Sequence, residues 1–120
     1  MHFSIEAQSG YFKAEMVERE TAAETAQFVE AIVAVLREGR VTRLLVSLRR
    51  SRPVFKVEDW NLSAALDQVM EIPDLRVAFI SDTRELGMSQ DYIAFLARQR
   101  GLRFEAFATE QAAVAWLQRL

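Results

Sequence analysis

A group of arginines is the strongest chemical feature of this 120-residue chain. Arg49, Arg50 and Arg52 directly follow the apolar run from Val41 to Leu48. A guanidinium fork can hold a phosphate or a carboxylate through two parallel hydrogen bonds, so these three residues are candidates for binding an acidic ligand. The alternative is a solvated loop whose charge keeps the surface hydrated.

Position along the predicted strand separates this group from other nearby arginines. The run from Val41 to Leu48 is continuously apolar, which is typical of a strand covered on both faces in a parallel sheet. Ligands bind at the carboxyl edge of open α/β sheets, so only the arginines after the run are predicted to form a site. Arg37, Arg40 and Arg43 precede it and fall at the amino end.

Large apolar side chains are predicted near the same carboxyl edge. Phe55, Trp60, Met88 and Tyr92 could form the walls of an amphipathic pocket with a cationic mouth, suited to an acyl chain that carries an acidic head. The alternative is that they seat the second and third helices on the sheet, because aromatic residues at helix starts mostly fill the core.

Two carboxylates could divide acid and base work. Asp82 is predicted at the tip of a buried strand, and Glu85 follows within reach. No imidazole, metal cluster or glycine-rich phosphate loop accompanies them in the sequence. Turn and cap formation therefore explains Asp82 better than catalysis.

Serines supply candidate phosphoacceptors, of which Ser51 stands among arginines. A phosphate of about −1.5 to −2 charge there could reorder the loop by pairing with a neighbouring guanidinium. Ser89, followed by Asp91, resembles a helix N-cap. Ser47 and Ser81 are more ordinary loop or strand-end serines.

Composition excludes several classes of function. The chain has no cysteine and one histidine, His2, which removes disulfides and thiolate sites and disfavours histidine relays and cages. We predict no cofactor and no metal. The net charge of −2 favours no nucleic-acid partner. Neither a signal peptide nor a transmembrane segment is predicted, so a cytoplasmic location is expected.

The elements that must position these residues follow from periodicity. Alternating residues predict two antiparallel strands around a turn at Ser9 and Gly10. Four helical patterns then alternate with apolar strands, the first helix opening with a capping box at Thr21 and Glu24. The last helix is capped by Thr109.

This order predicts a single α/β domain over residues 1–120. It contains a small mixed sheet of about five strands, antiparallel only at the N-terminal hairpin, with four flanking helices. The first strand ends the sheet, where an exposed edge could pair with its copy in a homodimer, although outward charges discourage uncontrolled association.

The chain resembles the SpoIIAA-like proteins, bacterial relatives of the STAS (sulfate transporter and anti-sigma factor antagonist) domain that are also likened to lipid-binding CRAL-TRIO domains. The resemblance is carried by the N-terminal hairpin, the strand from Arg76 to Asp82, the strand start at Arg103 and Phe104, and the ending from Glu110 to Leu117. It implies a mixed sheet flanked by helices, with a role in regulation or in binding a small apolar ligand, without catalysis.

The resemblance also implies a phosphorylatable switch after the central strand, within an Asp-x-Ser-Gly pattern. Here Ser47 replaces the aspartate and the glycine is missing. Three hypotheses follow: a non-catalytic regulatory or ligand-binding domain, an interaction module that engages a kinase-like partner through the Ser51 loop, and an enzyme that uses Asp82.

Overall fold

Five strands form one mixed sheet in the part of the chain that the computed structural model describes, residues 2–18, 21–39, 41–51 and 62–119. The strands are β1 (His2–Ala7), β2 (Phe12–Val17), β3 (Arg43–Arg49), β4 (Arg76–Ser81) and β5 (Arg103–Ala106). The helices are α1 (Ala22–Gly39), α2 (Leu62–Val69), α3 (Arg84–Gln99) and α4 (Glu110–Leu117). The predicted α/β class, mixed sheet and four helices are thus confirmed.

The strands lie in chain order across the sheet, with β1 at one edge and β5 at the other. β1 and β2 pair antiparallel around the predicted turn, where Gln8 N donates to Tyr11 O at 2.8 Å. Gly10 occupies the left-handed region at φ 86°, which glycine adopts without steric cost. All later neighbours pair in parallel.

The helices divide between the two faces of the sheet. Strands β2 to β5 are added in one direction, so crossovers of one hand place α1, α2 and α3 on the same face. Their buried residues, such as Phe28, Leu66 and Leu86, share a core with Val77. α4 covers the opposite face and packs a smaller cluster of buried residues: Leu45, Ala78, Ala113 and Leu117.

Polar side chains define the helix starts. Thr21 N donates to Glu24 Oε1 at 3.1 Å and Glu24 N donates to Thr21 Oγ1 at 3.2 Å, which confirms the capping box. The cap at Thr109 is also confirmed, since its Oγ1 accepts from Ala112 N. The N-cap predicted at Ser89 is wrong: α3 is capped by Thr83, and Ser89 is buried inside the helix.

The buried side of α3 also differs from the expected one. Met88, Tyr92 and Phe95 are 55%, 45% and 48% exposed, so the expectation that Met88 and Tyr92 seat the helix on the sheet is wrong. The buried stripe contains Leu86, Gln90, Ala94 and Ala97 instead. The small residues of this stripe let the helix backbone approach the strands closely. The larger side chains of Met88, Tyr92 and Phe95 face outward.

Helix length and composition also bear on membrane association. α1 is the longest helix, with 18 residues, and it carries charged residues along its exposed side. Across the described ranges, no helix has both the length and the apolar character that crossing a membrane requires.

Candidate functional site

The carboxyl edge of the sheet is formed by the ends of β2, β3 and β4. Two non-glycine residues there, Glu18 and Arg50, adopt left-handed backbone conformations with φ values of 62° and 50°. At these two residues the chain turns away from the sheet, at the ends of the neighbouring strands β2 and β3. Glu18 N also donates a hydrogen bond to Arg49 O at 3.1 Å. Such conformations are uncommon for residues with a side chain, so local contacts must hold them.

Asp82 supplies one of these contacts. Its Oδ2 accepts a hydrogen bond from Arg50 N at 3.1 Å, which ties the segment after β3 to the segment after β4. Glu85 lies exposed in the first turn of α3. The carboxylate of Asp82 therefore has a structural task, and the helix cap comes from its neighbour Thr83.

The described arginines at this edge are accompanied by carboxylates. Arg49 Nε lies 3.5 Å from Glu15 Oε2, and Arg50 Nη1 lies 3.9 Å from Glu18 Oε1. Ser51 is half-buried, and its Oγ donates to Arg49 O at 3.0 Å. Arg52, which the sequence places in the same group, lies outside the described residues.

Below this edge, Glu15 gathers polar groups on the α4 face of the sheet. The buried hydroxyl of Ser47 donates to Glu15 Oε2 at 3.1 Å, and Lys13 Nζ lies 3.9 Å from the same oxygen. Lys13 also reaches α4 by a 2.8 Å hydrogen bond to Glu110 Oε1. These contacts join strands to a helix, so the cluster acts as an anchor.

The predicted apolar pocket is not assembled from the predicted residues that the structure describes. Met88 and Tyr92 lie on the outer side of α3, away from the sheet. Phe55 and Trp60 lie outside the described residues. The carboxyl edge thus brings together Arg49, Arg50, Ser51 and Asp82, whereas Met88 and Tyr92 form an exposed surface.

An apolar cavity of about 100 Å³ lies between the sheet and helices α1, α2 and α3. Side chains from four strands and three helices form its wall. They include Met16, Phe28, Val29, Ile32, Leu36, Val46, Leu48, Ala65, Leu66, Val69, Val77, Phe79, Ile93 and Phe104.

Two polar side chains, Thr25 and Gln90, also line this cavity. They are 4% and 1% exposed, and both stand toward the carboxyl edge, near the start of α1 and the end of β4. Gln90 Nε2 donates to Ile80 O at 3.0 Å, which identifies the other amide atom as an oxygen. Among the described residues, no donor forms a hydrogen bond to Gln90 Oε1.

Sequence reasoning missed both polar residues. The spacing of Gln90 could have indicated that it is buried. It lies four residues after Leu86 and four before Ala94, on the side of α3 that packs on the sheet. The larger apolar residues Met88 and Tyr92 led instead to the prediction that the other side of the helix is buried. The described residues contain no group of three His, Asp or Glu side chains placed to hold a metal ion.

The fold agrees with the mixed sheet that the resemblance to the SpoIIAA-like proteins implies, although the sheet alone does not establish membership. The cavity and the carboxyl edge are therefore the observations on which function must rest. In the comparisons with known proteins, the chain matches no family model, no curated protein and no solved structure.

Proposed function

We propose that this chain is a non-catalytic binding domain that takes up a small apolar molecule with one hydrogen-bond donor. The cavity between the sheet and α1 to α3 carries the proposal, because it combines an apolar wall with a buried acceptor. Ligand sites commonly have this character, with a few polar groups that orient an otherwise apolar guest. The resemblance to the SpoIIAA-like proteins supports the same role.

The cavity has a cost for the empty protein. Cavities in protein cores lower stability by about 24 cal/mol per Å³, so one of about 100 Å³ costs roughly 2 kcal/mol. A guest that fills the space recovers this free energy through apolar contact. An engineered apolar cavity of about 150 Å³ in another protein stays dry and binds benzene, so the guest here is of comparable or smaller size.

Gln90 defines the polar end of the guest. A buried acceptor without a donor costs about 1 to 3 kcal/mol, which a hydroxyl or a protonated carboxyl group would recover by donating to Oε1. Thr25 lines the same cavity, and among the described residues its hydroxyl makes one long contact, 3.5 Å to Thr21 O. The chemistry therefore favours a short-chain alcohol or acid over a pure hydrocarbon.

Two isomers test this preference directly. Both 1-butanol and diethyl ether have the formula C4H10O, but only the alcohol can donate a hydrogen bond. Titration followed by ¹H–¹⁵N NMR should show saturable shifts around the cavity, with at least about tenfold tighter binding of 1-butanol. Gln90→Met should abolish that preference, because methionine keeps the size and removes the acceptor.

The matched control is Gln99→Met, which makes the same change at an exposed position of the same helix. It should leave the binding of both isomers unchanged. Equal affinity of the unmodified protein for the alcohol and the ether would contradict the role of Gln90, and the lack of any saturable shift would contradict the binding function itself.

A second candidate function is regulation through Ser51. A phosphate on its hydroxyl would remove the hydrogen bond to Arg49 O and would compete with Glu15 and Glu18 for the neighbouring guanidiniums. The two neighbouring guanidiniums could therefore bind the added phosphate, which favours an interaction module that a kinase-like partner modifies.

Phosphopeptide mapping of the protein isolated from its own cells tests this second function. We expect a phosphate on Ser51 and none on Ser47, whose hydroxyl is buried against Glu15. A phosphopeptide map without phosphate at Ser51 would contradict this second function.

A further inference from the structure

A second concave surface lies at the opposite, amino end of the sheet, on the face that α4 covers. Here a cleft of about 350 Å³ runs between β4, β5 and the C-terminal end of α4. Its charged lining residues are Arg76, Arg98, Arg103, Arg119 and Glu105, and Trp116 is one of its aromatic ones. Among the described lining residues, four guanidiniums therefore accompany one carboxylate, in a chain whose net charge is −2.

The inner guanidiniums are held by backbone carbonyls. Arg76 Nη1 donates to Trp116 O at 3.0 Å and to Arg119 O at 2.6 Å, and Arg98 Nη1 donates to Phe104 O at 3.0 Å. A carbonyl positions a guanidinium without neutralising its charge, and arginine has five N–H donors, so each keeps donors for another partner. At the carboxyl edge both described arginines lie beside carboxylates, whereas among the described arginines of the cleft only Arg103 does, 3.8 Å from Asp74.

Neighbouring charges leave this end of the sheet positive. Desolvation, followed by the charges of Arg43 and Arg103, lowers the pKa of Arg76, while Asp74 acts in the opposite direction. Arg43 is itself held by carbonyls, donating to Thr42 O and Asp74 O at 2.9 and 2.5 Å. Asp74 lies 3.8 Å from Arg103 Nη1, a distance that leaves the guanidinium open to a better partner.

We propose that this cleft is an anion site for a small phosphorylated compound carrying two or more negative charges. The excess of guanidiniums over carboxylates matches a phosphate monoester or a diphosphate better than a single carboxylate, and arginine recognises phosphate through paired hydrogen bonds. The cleft is larger than inorganic phosphate, so it has room for an organic group beside the Trp116 ring. Most of its lining lies on the opposite face of the sheet from the apolar cavity, and Phe104 is the described residue that lines both.

Pyrophosphate is the probe that tests the site, in a ¹H–¹⁵N NMR titration at pH 7 and constant ionic strength. We expect saturable shifts in β5, at the start of β4 and at the end of α4. The double variant Arg103→Gln with Arg119→Gln should bind at least about tenfold more weakly. It leaves Arg76 and Arg98 in place, so the contacts that these two make to backbone carbonyls are kept.

Two further variants keep the test specific. Arg37→Gln with Arg84→Gln removes two exposed charges outside the cleft and should leave the affinity unchanged. Glu105→Gln removes the carboxylate from the lining and should tighten binding about threefold. Non-saturable shifts, equal weakening by both double variants, or shifts centred on the carboxyl edge would each overturn the proposal.

Discussion

At the scale of single residues, Arg50 and Asp82 show how one side chain can hold an uncommon backbone conformation. Arg50 has a φ of 50°, and its N–H donates to the carboxylate of Asp82. The left-handed region costs a residue with a Cβ about 1 to 2 kcal/mol relative to the ordinary helical region. The side chain of Arg50 contributes little in return, since among the described residues its guanidinium makes one contact, at 3.9 Å to Glu18.

Replacing Arg50 with glycine should therefore raise the free energy of unfolding by about 0.5 kcal/mol, because the relief of backbone strain exceeds the entropy that glycine adds to the unfolded chain. Urea denaturation measures this change. Arg49→Gly is the matched control, and it should lower stability by about 1 kcal/mol, because Arg49 has ordinary strand geometry in β3. A loss for Arg50→Gly as large as that for Arg49→Gly would contradict the account of this turn.

Residue roles were only partly predictable from the sequence. Asp82 was expected to form a turn and a helix cap, but Thr83 caps the helix, and the carboxylate of Asp82 accepts instead from Arg50 N, 32 residues earlier. Gln90 was not identified, because whether a helical glutamine faces water or the core depends on the side of the helix that packs. The cleft around Arg76 joins residues far apart in the chain, so no local pattern indicated it.

At the scale of elements, Lys13 connects β2 to α4. Its hydrogen bond to Glu110 is the main reason that the pKa of Lys13 is raised above its ordinary value of 10.5, with the charges of Glu110 and Glu15 also raising it and burial opposing. A raised pKa in the folded state means that folding favours the protonated amine. The stabilisation is therefore complete below pH 10.5 and is lost as the pH rises through the higher folded value.

Lys13→Met should accordingly lower stability at pH 8 by less than about 1 kcal/mol, since the partner Glu110 is half exposed. The difference between variant and unmodified protein should shrink as the pH rises above 10.5. Urea denaturation across pH 8 to 11.5 measures it, and a difference that stays constant or grows over this range would contradict the role of the ion pair.

The orientation of α3 gives a second prediction at this scale. Ala97 is fully buried against the sheet, so Ala97→Leu should lower stability by about 1 to 3 kcal/mol through overpacking. Met88 is 55% exposed, so Met88→Ala should change stability by no more than about 0.5 kcal/mol. Thermal unfolding of the two variants distinguishes the sides of the helix, and the opposite ranking would show that the aromatic stripe packs inward.

Element types and strand pairing were predictable because turn chemistry, capping boxes and apolar runs are local signals. The hairpin around Gly10 and the caps at Thr21 and Thr109 are examples. The rotation of α3 was not predictable in this way, since it carries two apolar stripes, and packing against the strands selects the one with smaller residues. The rotation of α3 is therefore decided only when the helix packs on the sheet.

At the scale of the whole molecule, the unequal covering of the sheet explains where its candidate sites lie. Three helices on one face leave the apolar cavity beneath them, and the short helix α4 on the other face borders the basic cleft. The central claim is that the cavity is a binding site for an apolar guest. An unfilled packing defect would give the same stability cost without any guest.

A variant that fills the cavity distinguishes a binding site from an unfilled packing defect. Ala65 lines it, so Ala65→Leu should raise the free energy of unfolding by about 1 kcal/mol. The matched control, Ala34→Leu, places the same side chain at an exposed position of α1 and should leave ligand binding unchanged.

The most direct measurement is the NMR titration of the unmodified protein and Ala65→Leu with 1-butanol. The unmodified protein and the Ala34→Leu control should show saturable shifts at residues around the cavity, such as Val46, Val77 and Ile93, and Ala65→Leu should show none. Saturable binding that persists in Ala65→Leu, or its absence from the unmodified protein, would contradict the account.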